Sequence, residues 1–408
     1  MRDKPADVFY CGVREEVIKN ATPVLNLKNL ELNYRWMSER FSIWKKKELL
    51  QLPKPWTEDP VLLKHKFTNL RREHDRQSKW VIENISNAPG MSLEQKAYLS
   101  VMFRMFNVSV FFDFIKSKYD PLNLFDCIMG IDLGILLTDM KEYESKSDVE
   151  VKWFTNAFNT GGLKQCLAFP DSPVDYNKQR YGGLSVEVTR QDGSSEMMDY
   201  KVARATALVG DVNIEGFEPY MPMRIIKAVR HMYENDKTII DGALSAQTQK
   251  EAVKHLMRIR GFGFFLAYQA WVDLTYIEEY KFSENHYTVA GPGCIKGLNM
   301  IFEDRGGMTH EECLFWLRDN QETVYGQFGY KPEEFFDCLE PHDRFWNLMS
   351  AENTFCETLK YIRCVQAIES GKTSRTKVGY DGHAGLGTIA TKANKPSSSP
   401  KSTAKRLW

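Results

Sequence analysis

Apolar positions recur at helical spacing through most of the chain. Over residues 28–51, Leu30, Leu32, Trp36, Phe41 and Trp44 fall on one stripe, and Pro53 and Pro55 close it. The spacing predicts a second helix over 61–85, from Val61 to Ile85. Asn87-Ala88-Pro89-Gly90 is a breaker, and Ser92-Leu93-Glu94-Gln95 then reads as a capping box that opens a third helix. That helix runs through Met102, Phe103 and Phe106 into an aromatic stretch near Phe111, Phe112 and Phe114. Two more capping boxes, Thr248 with Glu251 and Thr309 with Glu312, mark further helix starts, and a last long helix spans roughly 343–368.

One region alternates instead. Leu184 to Thr189 switches between apolar and polar residues, Asp192-Gly193 supplies a turn, and Met197 to Val202 returns, which predicts a β-hairpin. Glycine and proline are frequent from Gly161 to Pro173. The resulting division is an N-terminal helical region 1–160, an insertion with the hairpin 161–220, a second helical region 221–370, and a tail 371–408. The fold class is mainly α, with a small β-hairpin insertion.

Composition excludes several classes. The 408 residues carry 54 basic and 54 acidic side chains and 43% hydrophobic residues, enough for a large core without staples. No stretch approaches the ~18 consecutive apolar residues of a membrane span, and Met1-Arg2-Asp3-Lys4-Pro5 leads into no apolar leader. The eight cysteines are scattered and form no C-x-x-C pair, so they read as reduced thiols. Charge is unevenly spread: eight basic residues against Asp381 alone give the tail +7 and leave −7 for the rest. Such a tail is either a solubilising extension or a phosphate-attracting arm.

The segment Leu256 to Gln269 carries the clearest chemistry. Two helices flank Arg260-Gly261-Phe262-Gly263-Phe264 in a helix-hairpin-helix pattern. Its glycines suit a turn with positive φ and the close approach of a DNA backbone. The amides of Gly261, Gly263 and Phe264 point outward at a helix N-terminus, with Arg258 and Arg260 beside them, which is an anion-binding arrangement. An ordinary helical hairpin is the bland alternative. On the second helix Gln269 and Asp273 share a face with Tyr276, where an amide and a carboxylate can read a base edge and act as base; Asp273 as a solvated or capping acid is the alternative.

Three further segments offer polar groups. Gly291, Gly293 and Lys296, in Ala290 to Leu298, form a candidate second anion nest. Asn69, Arg72 and Asp75 fall on one face of the predicted 61–85 helix. Glu352, Cys356 and Lys360 form one stripe of the last helix, with Asn353, Glu357 and Tyr361 beside it. Surface ion-pair lacing is the alternative for both stripes. Glu369-Ser370-Gly371-Lys372-Thr373 lacks the upstream glycine and preceding strand of a P-loop, which excludes that kinase motif here.

Taken together, F-T-N-L-R-R-E-H-D (67–75), R-G-F-G-F-F-L-A-Y-Q-x-x-x-D-L (260–274), G-P-G-x-x-x-G-L (291–298) and E-N-T-F-C-E-T-L-K-Y (352–361) resemble a phage thymine-hypermodification family. It comprises the helical domain of 5-hydroxymethyluracil DNA kinases and the alpha-glutamyl/putrescinyl thymine pyrophosphorylases. The resemblance covers roughly residues 35–368. It implies a fold similar to helix-hairpin-helix DNA glycosylases, and a reaction on double-stranded phage DNA in the cytoplasm of the infected host. It implies an amino acid:DNA transferase, in which an amino acid or polyamine displaces the phosphate or pyrophosphate of activated hydroxymethyluracil after base flipping. It also implies coupling to a hydroxymethyluracil DNA kinase, whose P-loop domain this sequence does not display. A glycosylase or glycosyltransferase, and a non-catalytic DNA-binding partner of the kinase, are the alternatives.

In that setting Tyr268 is a candidate base-stacking ring. Arg72, Lys296 and Lys360 are candidates to hold the leaving pyrophosphate, and Asp273, Glu352 or Glu357 to take the proton of the amine. Gln269 or Asn353 would hold the base edge. Asp273 departs from the glycosylase pattern, lying only twelve residues after Gly261. The sequence shows no metal-ligand constellation. A cation at the hairpin or magnesium on the pyrophosphate is the expected extent of cofactor use.

Overall fold

The computed structural model describes residues 12–155, 167, 185–215, 217–331 and 347–372, and among these the chain is mainly helical. The first predicted stripe forms the Leu27–Trp44 helix and buries Leu30, Trp36, Phe41 and Trp44. The Asn26 side chain accepts from the Asn29 amide at 3.0 Å to start it, and a π-helical turn, Lys45–Leu49, carries it to just before Pro53. All three predicted capping boxes are present, at Ser92/Gln95, Thr248/Glu251 and Thr309/Glu312.

The helix opened by Ser92 runs Leu93–Phe106, and every residue from Lys96 onward is buried. A helix apolar on all sides belongs at the centre of a core. Leu124–Gly130, Met221–Asn235, Thr238–Ser245 and Phe264–Thr275 pack around it. Asn107, with φ at +54°, stops it, and a separate helix, Val110–Tyr119, follows. A second core forms around the last helix, Leu348–Glu369, from Ile18 to Leu70 and from Ala290 to Tyr330. The chain thus builds part of the second core, crosses to the first, and returns; the packing groups residues far apart in sequence.

Helix Pro292–Ile301 lies tightly on the last helix. A Cβ on Gly297 would overlap the Phe355 carbonyl, and one on Gly293 would overlap the Cys356 thiol. Gly297→Ala should therefore cost about 1–3 kcal/mol in a denaturation experiment. Gly130→Ala, whose Cβ meets nothing within 4 Å, is the control expected to leave stability within about 0.5 kcal/mol.

The hairpin forms from Ser185–Arg190 and Ser195–Asp199, paired antiparallel with Val186 opposite Met198, and Val212–Asn213 adds a third strand. Its return strand is shorter than predicted, because Tyr200–Leu208 is helical and seats Ala203 against Val188, Val212 and Ile214. A second pair joins Val24–Leu25 to Phe302–Asp304.

The predicted 61–85 helix is corrected. Asp59 caps a short helix, Pro60–Lys64; an extended segment follows, then a 3-10 turn, Arg72–His74, and a helix, Arg76–Val81, that passes into a π-turn, Ile82–Ser86. Side chains take the backbone groups a helix would use. The Thr68 amide donates to Glu357 Oε2 at 3.1 Å, the Asn69 amide to Asp75 Oδ1 at 3.0 Å, and Arg40 Nε donates to the Thr68 carbonyl at 2.9 Å. Asn69, Arg72 and Asp75 consequently lie on a turn, not on a helix face.

The Gly161–Pro173 stretch (save Leu167), the start of the last predicted helix and the basic tail from 373 lie outside the described residues. Among those described, no helix is long and apolar enough to cross a membrane. Glu369 closes a helix, so the Ser370-Gly371-Lys372 run has no strand before it.

Candidate functional site

Arg72 sits where the two cores meet. The 3-10 turn points its guanidinium inward, where Nη1 donates to Gln269 Oε1 and Nη2 to Asp273 Oδ1 at 3.1 Å. Arg104, from the central helix, reaches the same carboxylate through Nε to Oδ2 at 2.8 Å, and its Nη1 donates to Asn107 Oδ1 at 2.8 Å. Gln269 and Asp273 are fully buried, one helical turn apart. Both oxygens of Asp273 are occupied by guanidinium donors. Burial pulls the Arg72 guanidinium down, but the charges of Asp273, Tyr276 and Glu284 outweigh it and hold it above its ordinary value. Burial wins at Arg104, which is lowered despite Asp273. Asp273 therefore fixes two cations and has no free oxygen with which to take a proton.

Glu352 approaches from the last helix. Its Oε1 accepts from the Gly291 amide at 3.2 Å, and burial pushes its carboxyl up to about 7, with the Gly291 amide and Arg72 pulling the other way. The predicted nest around Gly291 and Gly293 is thus filled from within: the Gly291 amide holds Glu352, and Gly293 packs on Cys356. A Cβ on Gly291 would come within 2.9 Å of Glu352 Oε1.

On the other side of Arg72 lie Tyr276, Glu284 and Glu73. Asn347 Nδ2 donates to Glu284 Oε1 at 2.6 Å. Burial, reinforced by the charge of Glu73, raises Glu284 to about 8 against the pull of Arg71 and Arg72. Four buried polar atoms here have no hydrogen-bond partner: Gln269 Nε2, Tyr276 Oη, Glu284 Oε2 and Glu73 Oε2. Buried polar atoms left unpaired are costly, and a group of them marks a place for a ligand or water.

The remaining predicted residues divide clearly. Asn353 Nδ2 donates to Thr68 Oγ1 at 3.0 Å and Glu357 accepts from Lys360 at 2.7 Å, so these hold the 67–75 turn on the last helix. Lys360 also lies 4.6 Å over the Phe67 ring. Asn69 Nδ2 donates to the His74 carbonyl at 2.7 Å, and burial raises Asp75 to about 6. Tyr268 is fully enclosed in the core, stacked on Trp271 at 5.9 Å with its hydroxyl 3.3 Å from Thr288. It is no open stacking platform. Lys296 is exposed and away from this centre, without an ion-pair or hydrogen-bond partner among the described residues.

The predicted turn after the Gln249–Leu256 helix is present, the helix ending one turn earlier than expected. Gly261 has φ at +84°, and Ile259 and Phe262 anchor the turn in the core. Gly263 is extended, not left-handed, and faces open space, with Phe264 exposed beside it. The amides of Gly261, Gly263 and Phe264 donate to no backbone acceptor among the described residues. Arg258 is partly engaged, donating to Thr238 Oγ1 at 2.9 Å. Arg260 is half-buried at the same turn.

Sequence reasoning missed Arg104, Glu73 and Glu284. Arg104 had a signal, as a lone cation inside the apolar run Val101-Met102-Phe103-Arg104-Met105-Phe106. Glu73 stands inside the 67–75 motif without being singled out, and Glu284 had no signal, because its setting is made by chain segments distant in sequence. Among the described residues no group of three His, Cys, Asp or Glu side chains is arranged to hold a metal.

A helical protein whose four polar motifs meet at a buried arginine centre is the class this geometry defines. The chain belongs to the family of the 5-hmdU DNA kinase helical domain, whose model matches residues 28–370. It is similar to the 5-hmdU DNA kinase of Bacillus phage SP10, 23% identical over 341 residues, or 79% of this chain and 43% of that protein. The chain thus spans less than half the length of this curated relative. No solved structure matches it.

Proposed function

We propose that the chain is a DNA base-modifying transferase acting on activated 5-hydroxymethyluracil in phage DNA, in the cytoplasm of the infected host. The observation that carries this reading is the meeting of all four family motifs at one buried centre, where Glu352 titrates near neutrality. Family membership and the relative's named activity supply the substrate class. A hydroxymethyluracil DNA kinase would supply the activated base.

In the reaction, an amine nitrogen of an amino acid or polyamine attacks the exocyclic methylene carbon. The carbon–oxygen bond breaks, and phosphate or pyrophosphate leaves with the bonding pair. The proton of the attacking nitrogen passes to the Glu352 carboxylate, a role for which a group near pH 7 is suited. Gln269 Nε2, unpaired and buried, would hold a base edge. Incubating the protein with pyrophosphorylated DNA and a mixture of amino acids and putrescine, then analysing nucleosides by mass spectrometry, tests this. New aminated thymine nucleosides support it. Unchanged nucleosides overturn it, and abasic sites point to a glycosylase instead.

The hairpin turn is the proposed backbone contact. Gly263→Asp places a carboxylate at the open amides without touching a neighbour. Duplex DNA affinity should fall about tenfold and the salt slope by about one, with an unchanged melting temperature. Unaltered affinity would remove the hairpin from the interface.

A further inference from the structure

We propose that Glu73, Tyr276 and Glu284 form a seat for a primary ammonium group, a charged and non-attacking head of the amine donor. The assignment deepens the transferase reading and rests on it for the donor's role, though not for the binding itself.

The shape of the site specifies the ligand. Glu73 Oε2, Tyr276 Oη and Glu284 Oε2 are buried and unpaired with any other group among the described residues, and the Tyr276 hydroxyl lies near enough to Glu284 to hold its carboxyl down. They are also mutual neighbours: Glu284 is the leading charge felt by Tyr276, and Glu73 the leading charge felt by Glu284. An ammonium has three N–H donors and no acceptor, so two carboxylate oxygens and a hydroxyl satisfy it fully. A phosphate or carboxylate would meet two acids, and a divalent ion would lack its third anionic ligand among the described residues.

The surrounding pairs leave these atoms available. Arg71 Nε donates to the other oxygen of Glu73, and Asn347 holds the other oxygen of Glu284 at 2.6 Å. Arg72 donates to Gln269 and Asp273, and its charge is felt at both Tyr276 and Glu284, where it favours the ionised forms. Glu73 is the least enclosed of the three, its side chain 14% exposed while Glu284 and Tyr276 are each 5% exposed.

Calorimetric titration of the full chain without DNA tests the seat, using putrescine, glycine and L-glutamate as ammonium probes and 1,4-butanediol as an uncharged control. At least one ammonium probe should bind at millimolar concentration while butanediol does not. Glu284→Gln, nearly isosteric, should weaken binding roughly tenfold or more, as loss of a charged hydrogen-bond partner does. Tyr276→Phe should weaken it by a smaller factor and serves if Glu284→Gln fails to fold. Absence of binding by all three probes, equal binding of butanediol, or unchanged affinity in the variants overturns the seat. Binding without amine transfer to pyrophosphorylated DNA would overturn the transferase reading and leave the seat standing. Transfer with an unchanged KM for the amine in Glu284→Gln would do the reverse.

Discussion

Asp273→Ala is expected to lower stability by about 3–5 kcal/mol, the range for removing one partner of a buried ion pair. The carboxylate is fully buried and shared, with Arg72 at 3.1 Å on one oxygen and Arg104 at 2.8 Å on the other. Without it, two guanidiniums remain enclosed near one another and lose the carboxylate that both share. Burying an unpaired charge is what makes the loss large; the pair itself contributes less than that figure, because both arginines were desolvated to form it. Arg104→Leu combined with Asp273→Leu should accordingly recover part of the loss relative to Asp273→Ala, since Arg72 then keeps Gln269 and faces no second cation. Urea denaturation of the three proteins checks both statements. A loss below about 1 kcal/mol for Asp273→Ala would mean that water reaches the cluster and screens it.

What could be read from the sequence was what is decided locally. The capping boxes at Ser92, Thr248 and Thr309 need only residues three apart, and each forms as expected. Gly261 takes the positive φ its turn demands. The 67–75 segment failed because its competitors are remote: the Thr68 amide bonds to a glutamate 289 residues away, and no periodicity within the segment records that. Tyr268 and the Gly291 nest failed for a related reason. An aromatic or a glycine in a motif shows its chemistry in sequence but not its solvent exposure, and here Tyr268 is core while Gly293 and Gly297 serve close helix packing. Of the centre itself, Gln269, Asp273, Arg72 and Glu352 were legible as polar residues in structured segments. Their division of labour was not, because it depends on Arg104, which pairs with Asp273 from a helix 169 residues away.

Glu352→Gln should abolish most of the proposed transfer, by about 10²–10⁴-fold in kcat, while leaving the fold intact. The amide is nearly the shape of the acid, and its oxygen can still accept from the Gly291 amide at the helix start. The wild-type rate should rise with pH through about 7, where Glu352 ionises, and then level; the variant's residual rate should lack that step. The groups bearing on this carboxyl are the Gly291 amide and Arg72, which favour ionisation, and burial, which opposes it and prevails. Stability carries the same signature with a definite sign. A carboxyl raised on folding contributes its full stabilisation below the unfolded value of about 4.3 and loses it as pH rises through about 7. Glu352→Gln has no such loss, so its stability relative to wild type should grow between those pH values and level above them. Glu284, raised to about 8 by burial, contributes in the same direction in both proteins and cancels in the comparison. A variant that keeps a wild-type rate and pH step would remove Glu352 as the base. One that loses the rate but shows no relative gain in stability toward neutral pH would place the residue in catalysis while showing that its carboxyl is better hydrated than its burial implies.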